Sequence, residues 1–124
     1  MNVDKVLEVF RKFIDTKLDS FSVSNPVVGL FKPLIKRVVD NNIQKLVPTL
    51  SLLSDSEGNI DIKEILPEMI DNVKSMESFS IHTDIIGEIV IGDGRIILNI
   101  PMTDRRLVLD SADLEDLKNL ILNS

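Results

Sequence analysis

Cysteine, tryptophan and tyrosine are absent from this chain of 124 residues, and histidine and alanine occur once each, as His82 and Ala112. Without cysteine there are no disulfides, no thiolate metal sites and no cysteine nucleophile. Without tryptophan or tyrosine nucleobases have little to stack on, and the 14 Lys and Arg are too few and dispersed to hold a phosphate backbone. No nucleic acid partner is expected. No apolar run reaches the roughly 18 residues that a membrane span needs, and no membrane partner is expected either. The opening MNVDKVLEVFRKF carries Asp4, Glu8 and Arg11 where a secretion signal would be unbroken and apolar. The cytoplasm, of a bacterial producer or of a phage-infected host, is the compartment these absences leave.

What is present suits one globular domain, residues 1–124, with 44% hydrophobic and 27% charged residues. Isoleucine occurs 16 times. Against a single alanine this reads as AT-rich coding, as in a phage or mobile element. Charge is uneven: residues 1–49 hold eight Lys and Arg against five Asp and Glu, while residues 50–124 hold six against fifteen. Opposite potentials at two ends of a molecule can steer copies together head to tail, or they can neutralise each other within one fold.

Along the chain, Val3, Leu7, Phe10, Ile14, Leu18 and Phe21 recur at three- and four-residue steps, widened by Val6 and Phe13. They predict an amphipathic helix over 3–21, capped by Asn2. Asn25-Pro26 reads as a cap and first residue of another helix. Its apolar residues, from Val27 to Val47, form a stripe wide enough for packing on two sides. Pro33 is expected to divide it into pieces of about 26–32 and 33–46, with a short helix over Pro48 to Leu53. Asp61 and Glu64 have the spacing of a capping box for a fourth helix bearing Ile62, Ile65, Leu66, Met69, Ile70, Val73 and Met76. Glu64, Glu68 and Asp71 share its other face.

Residues 75–83 read as a connection into the stretch that carries the clearest strand signals. Ile85 to Ile91 and Arg95 to Ile100 are β-branched runs. Between them Gly92-Asp93-Gly94 suggests a three-residue loop, a type I turn closed by a bulge at Gly94. Gly87 suggests a bulge or a close backbone approach. Arg106 to Asp110 is a third strand, and Asp110 or Ser111 caps a last helix with Leu114, Leu117, Leu120 and Ile121 on one face. The expected class is α+β: about four proline-kinked helices over about 1–77, then a three-stranded antiparallel meander and a C-terminal helix over about 79–124. Ile85, Ile86, Ile89, Val90, Ile91, Ile96, Ile97, Leu98 and Ile100 are too many apolar side chains for a meander half open to water. One face would take the last helix, and the other the N-terminal helices or another subunit.

Few motifs point to chemistry. Leu53 to Glu64, LSDSEGNIDIKE, resembles an EF-hand calcium loop, with Gly58 at the sharp turn, Ile60 at the β-bridge and Glu64 at the closing bidentate position. The resemblance implies Asp55, Glu57, Asp61 and Glu64 as ligands, but it covers 12 of 124 residues and Leu53 stands where a carboxylate is required. His82 lacks a nucleophile, and Asp84 two residues on makes a pair more often structural than catalytic. An enzyme would need a pocket gathering carboxylates such as Asp84, Glu88 and Asp104. Arg105 and Arg106 alternate to opposite sides of a strand, which suits gatekeepers of an edge or a rim contact.

The expected role is therefore a small non-enzymatic interaction or assembly protein that self-associates as a homo-oligomer, without cofactor or metal. A degenerate calcium-binding module is the alternative. Val3, Leu7, Phe10, Ile14, Arg105 and Arg106 are the expected contact residues.

Overall fold

The structure, a computed structural model, describes residues 1–83 and 87–124. Helix α1 (Val3–Ser24) begins where Asn2 Oδ1 accepts a hydrogen bond from the Lys5 amide at 2.8 Å, and it runs three residues past the expected end. Asn25 joins it to α2 (Pro26–Gln44). The Asn25 side chain does not cap α2: its Nδ2 turns back and donates to the Phe21 carbonyl at 3.1 Å. Pro33 does not split α2. Seven residues past the helix start, it forfeits one amide donor, and the turns on either side keep the helix going.

Helix α3 (Val47–Leu52) follows, then a turn, then α4 (Ile62–Ser75), which continues through Pro67. The turn is tied to the chain start: Met1 and Ile60 exchange backbone hydrogen bonds, the Ile60 amide donating to Met1 O at 2.7 Å. The expected capping box at Asp61 is not formed, because the Asp61 side chain accepts no backbone amide. The Asp61 carboxyl neighbours that of Glu64, and this neighbour raises the Glu64 pKa above its usual range.

The sheet has four antiparallel strands in the order of the chain: β1 (Phe79–Thr83), β2 (Gly87–Gly92), β3 (Arg95–Asn99) and β4 (Arg106–Leu109). The expected count of three missed β1, whose Phe79-Ser80-Ile81-His82 alternates apolar and polar as a strand does. Ile85, Ile86 and Asp84, used in the expectations above, lie outside the described residues. The β2–β3 connection is shorter than expected. Gly92 pairs with Arg95, so only Asp93 and Gly94 turn the chain, with φ of 54° and 77°. Positive φ at both central residues is the pattern of a type I′ turn, whose twist matches that of the strands.

The tip of this hairpin docks on the end of α4. The Asp93 amide donates to Met76 O at 2.9 Å and the Gly94 amide to Val73 O at 3.1 Å, supplying donors to carbonyls that a helix end leaves open. A last helix, α5 (Ser111–Leu122), starts from a reciprocal box in which Asp110 and Asp113 each accept the other's backbone amide.

The helices that cover the sheet share one face of it. Ile96 and Leu98 of β3 and Leu107 and Leu109 of β4 pack into a core with Val6, Val9, Phe13 and Leu18 of α1, Leu66 and Ile70 of α4, and Leu114 and Ile121 of α5. The expectation that the two faces would be covered by different elements is thus not met within the chain. The other face carries the cross-strand row Ser80, Val90, Ile97 and Val108, which takes no part in the core. The isoleucines divide unevenly: most of the long apolar side chains of β3 and β4 turn inward, and the open face keeps a narrow apolar row.

Candidate interaction surfaces

Helix α2 packs against α1, and salt bridges run along that seam. Asp19 meets Lys36 at 2.9 Å and Lys32 at 3.2 Å, and Arg11 Nε lies 3.2 Å from Asp40 Oδ1. The two lysines hold the Asp19 carboxyl below its usual pKa. Beside them Asp15 is in the opposite situation: burial, then the like charge of Asp40, push its carboxyl above the usual range despite Lys36 and Arg11 nearby. The inner side of α2, Val28, Ile35 and Ile43, is buried.

The outer side of α2 is unusual for a surface helix, which normally turns polar residues to water. Val27, Leu30, Phe31 and Leu34 sit there with 50%, 75%, 40% and 46% of their surface exposed. Their spacing, i, i+3, i+4 and i+7, makes one stripe. Exposed Arg37 and Lys45 continue the same face toward the end of the helix. The sequence signal for this stripe was its width, which implied packing on two sides. One side is met by α1 and the other is bare.

Helix α4 presents a second outward face of contrasting charge. Ile65 and Met69, 42% and 55% exposed, are flanked by exposed Asp61, Glu64 and Glu68. Its bases point elsewhere: Lys63 bonds to the Ser124 carbonyl and Lys74 to Glu115.

The residues expected to make contacts lie mostly inside the fold. Leu7 is 2% exposed, and Val3, Phe10 and Ile14 are half-buried against the core. Arg105 and Arg106 are exposed at the start of edge strand β4, Arg105 with its Nε 3.7 Å from Asp104 Oδ1. The structure brings these six residues into no common patch.

No family model, curated protein or solved structure matches this chain.

The residues of the calcium-loop resemblance have other partners. Asp55 Oδ1 accepts the amides of Asn59 at 3.0 Å and Glu57 at 2.9 Å, which holds its pKa below the usual range and closes the turn at Gly58. Ile60, at the β-bridge position, is taken up by Met1. Among the described residues no group of three or more His, Cys, Asp or Glu side chains is placed to hold a metal ion. His82 stands opposite Glu88 in the β1–β2 pairing, and Asp104 lies in the β3–β4 connection beside Arg105. A groove of ≈ 240 Å³ beside β4 is lined by Phe21, Leu107, Leu109, Lys17 and Asp113 among others. Its base and acid already pair at 2.7 Å, and Asp116 also binds Lys17. Among the described residues no helix is long and apolar enough to cross a membrane.

Proposed function

We propose that this chain is a small, non-enzymatic assembly protein that associates with copies of itself, and that the outward face of α2 is its contact surface. The observation that carries this reading is the stripe Val27, Leu30, Phe31 and Leu34, four large apolar side chains left 40% to 75% exposed on one helix. Scattered apolar residues on a surface are ordinary, but a contiguous apolar stripe marks a surface that another molecule covers. Arg37 and Lys45 beside it give the polar rim that such contacts usually have.

Light scattering on the full chain over a wide range of concentrations tests the reading. The mass should rise with concentration, and Leu30→Glu with Leu34→Glu should return it to that of one chain while leaving the helical circular dichroism unchanged. A wild-type chain that stays monomeric at the highest concentrations would end the proposal.

A further inference from the structure

We infer that the α2 stripe is covered by the outward face of α4 in a second copy, so that copies join head to tail. This deepens the proposed function and rests on it.

Three observations select this occupant. First, α2 and α4 each present an unpartnered outward face with exposed apolar residues, and they pack on different neighbours, α2 on α1 and α4 on α5. Second, the two faces have opposite charge. Exposed Arg37 and Lys45 accompany the α2 stripe, and exposed Asp61, Glu64 and Glu68 surround Ile65 and Met69. An α2 face docked on another α2 face brings no acid to Arg37 and Lys45, whereas the α4 face does. Third, the order of residues along each helix fits an antiparallel pairing. With Leu30 against Met69 and Leu34 against Ile65, Arg37 arrives at Asp61, and Lys45 falls beside the acidic turn that holds Asp55 and Glu57.

Because the two faces are different patches on one molecule, every copy bound leaves one free face at each end. The assembly therefore grows as a chain, or closes as a ring, rather than stopping at an isologous dimer.

Complementation between variants tests this. Leu30→Glu with Leu34→Glu disables the α2 face, Ile65→Glu with Met69→Glu disables the α4 face, and the two disabled faces repel each other. Each variant alone should associate at least tenfold more weakly than wild type, and a one-to-one mixture should form a dimer that grows no further. If the α4 variant associates as strongly as wild type, or the mixture stays monomeric while wild type assembles, the head-to-tail inference is overturned and self-association through α2 stands. If wild type itself never associates, both fall.

Exchanges of charge give a second arm that leaves the apolar positions intact. Arg37→Glu and Asp61→Lys should each weaken association, and mixing the two variants should restore it through the swapped pair. Mixtures no stronger than the separate variants would overturn the pairing of α2 with α4.

Discussion

Two glycines of the same type of backbone carry very different constraints. Gly92 has φ of 129°, and a Cβ there would lie 2.6 Å from both the Glu77 carbonyl oxygen and the Ser78 Cα, backbone atoms that cannot swing aside. Gly58 also has positive φ, at 79°, but an added Cβ would meet nothing within 4 Å. Gly92→Ala should therefore cost about 2–4 kcal/mol, from overpacking and backbone strain together, and Gly58→Ala only about 1 kcal/mol from strain. Urea unfolding of both variants checks this, and equal losses would contradict the close approach at Gly92. Asp15 gives a prediction with a pH signature. Its folded pKa is raised, chiefly by burial and then by Asp40, so the folded state holds its proton to higher pH than the unfolded chain does. The contribution is thus favourable below the usual carboxylate range and is lost as pH rises through the raised value. Asp15→Asn, which imitates the protonated form, should stabilise the protein at pH 7 and lose that advantage toward pH 4. Denaturant midpoints at the two values decide it; an asparagine variant weaker than wild type at pH 7 would show that the pull of Lys36 and Arg11 dominates.

At the scale of elements, strong local chemistry was readable and tertiary compensation was not. Asn2 and Asp110 cap the helices that their positions implied, because a side-chain oxygen beside an open amide needs no distant partner. Asn25 and Asp61 occupy the same pattern and do otherwise: the Asn25 amide turns back to Phe21 O, and the Asp61 side chain makes no cap bond. Strand β1 was overlooked because five residues of alternation are a weak signal until β2 pairs with them, as Ile81 does with Ile89. Of the interaction surface, the α2 stripe was visible as excess width, but which flank would turn inward depended on how Val28 and Ile35 fit the core, with Asp19, Lys32 and Lys36 meeting across the seam. Pro33 is the case where a breaker was overruled. It lies within α2 and faces water, so its missing hydrogen bond is a cost that packing of Val28 and Ile35 offsets. Pro33→Ala should restore the bond and raise stability by about 1–3 kcal/mol, the interior penalty of proline less its stiffening of the unfolded chain. Thermal melting checks this, and no gain would mean that the helix is already bent to suit the ring.

For the whole molecule, salt separates the head-to-tail arrangement from a pairing of like faces. Two copies with net charge −6 each repel one another, and that repulsion acts over distances no shorter than the radius of gyration, about 14 Å for a chain of this length. At physiological ionic strength the screening length is about 8 Å, so most of it is already gone. Charge pairs formed in a contact, such as Arg37 with Asp61, act at a few ångströms and persist there until the screening length falls to about 3 Å near 1 M salt. Raising salt from 0.15 M to 1 M therefore weakens the charge attraction between α2 and α4 while leaving their apolar contact in place and changing the net repulsion little. Association should weaken several-fold over that range, by sedimentation or light scattering at fixed protein concentration. Docking of α2 on α2 forms no such charge pair, so salt would leave the apolar contact of Leu30 and Leu34 intact and the association would not weaken. An association that tightens with sodium chloride would count against α4 as the partner surface even if α2 remains the site of contact.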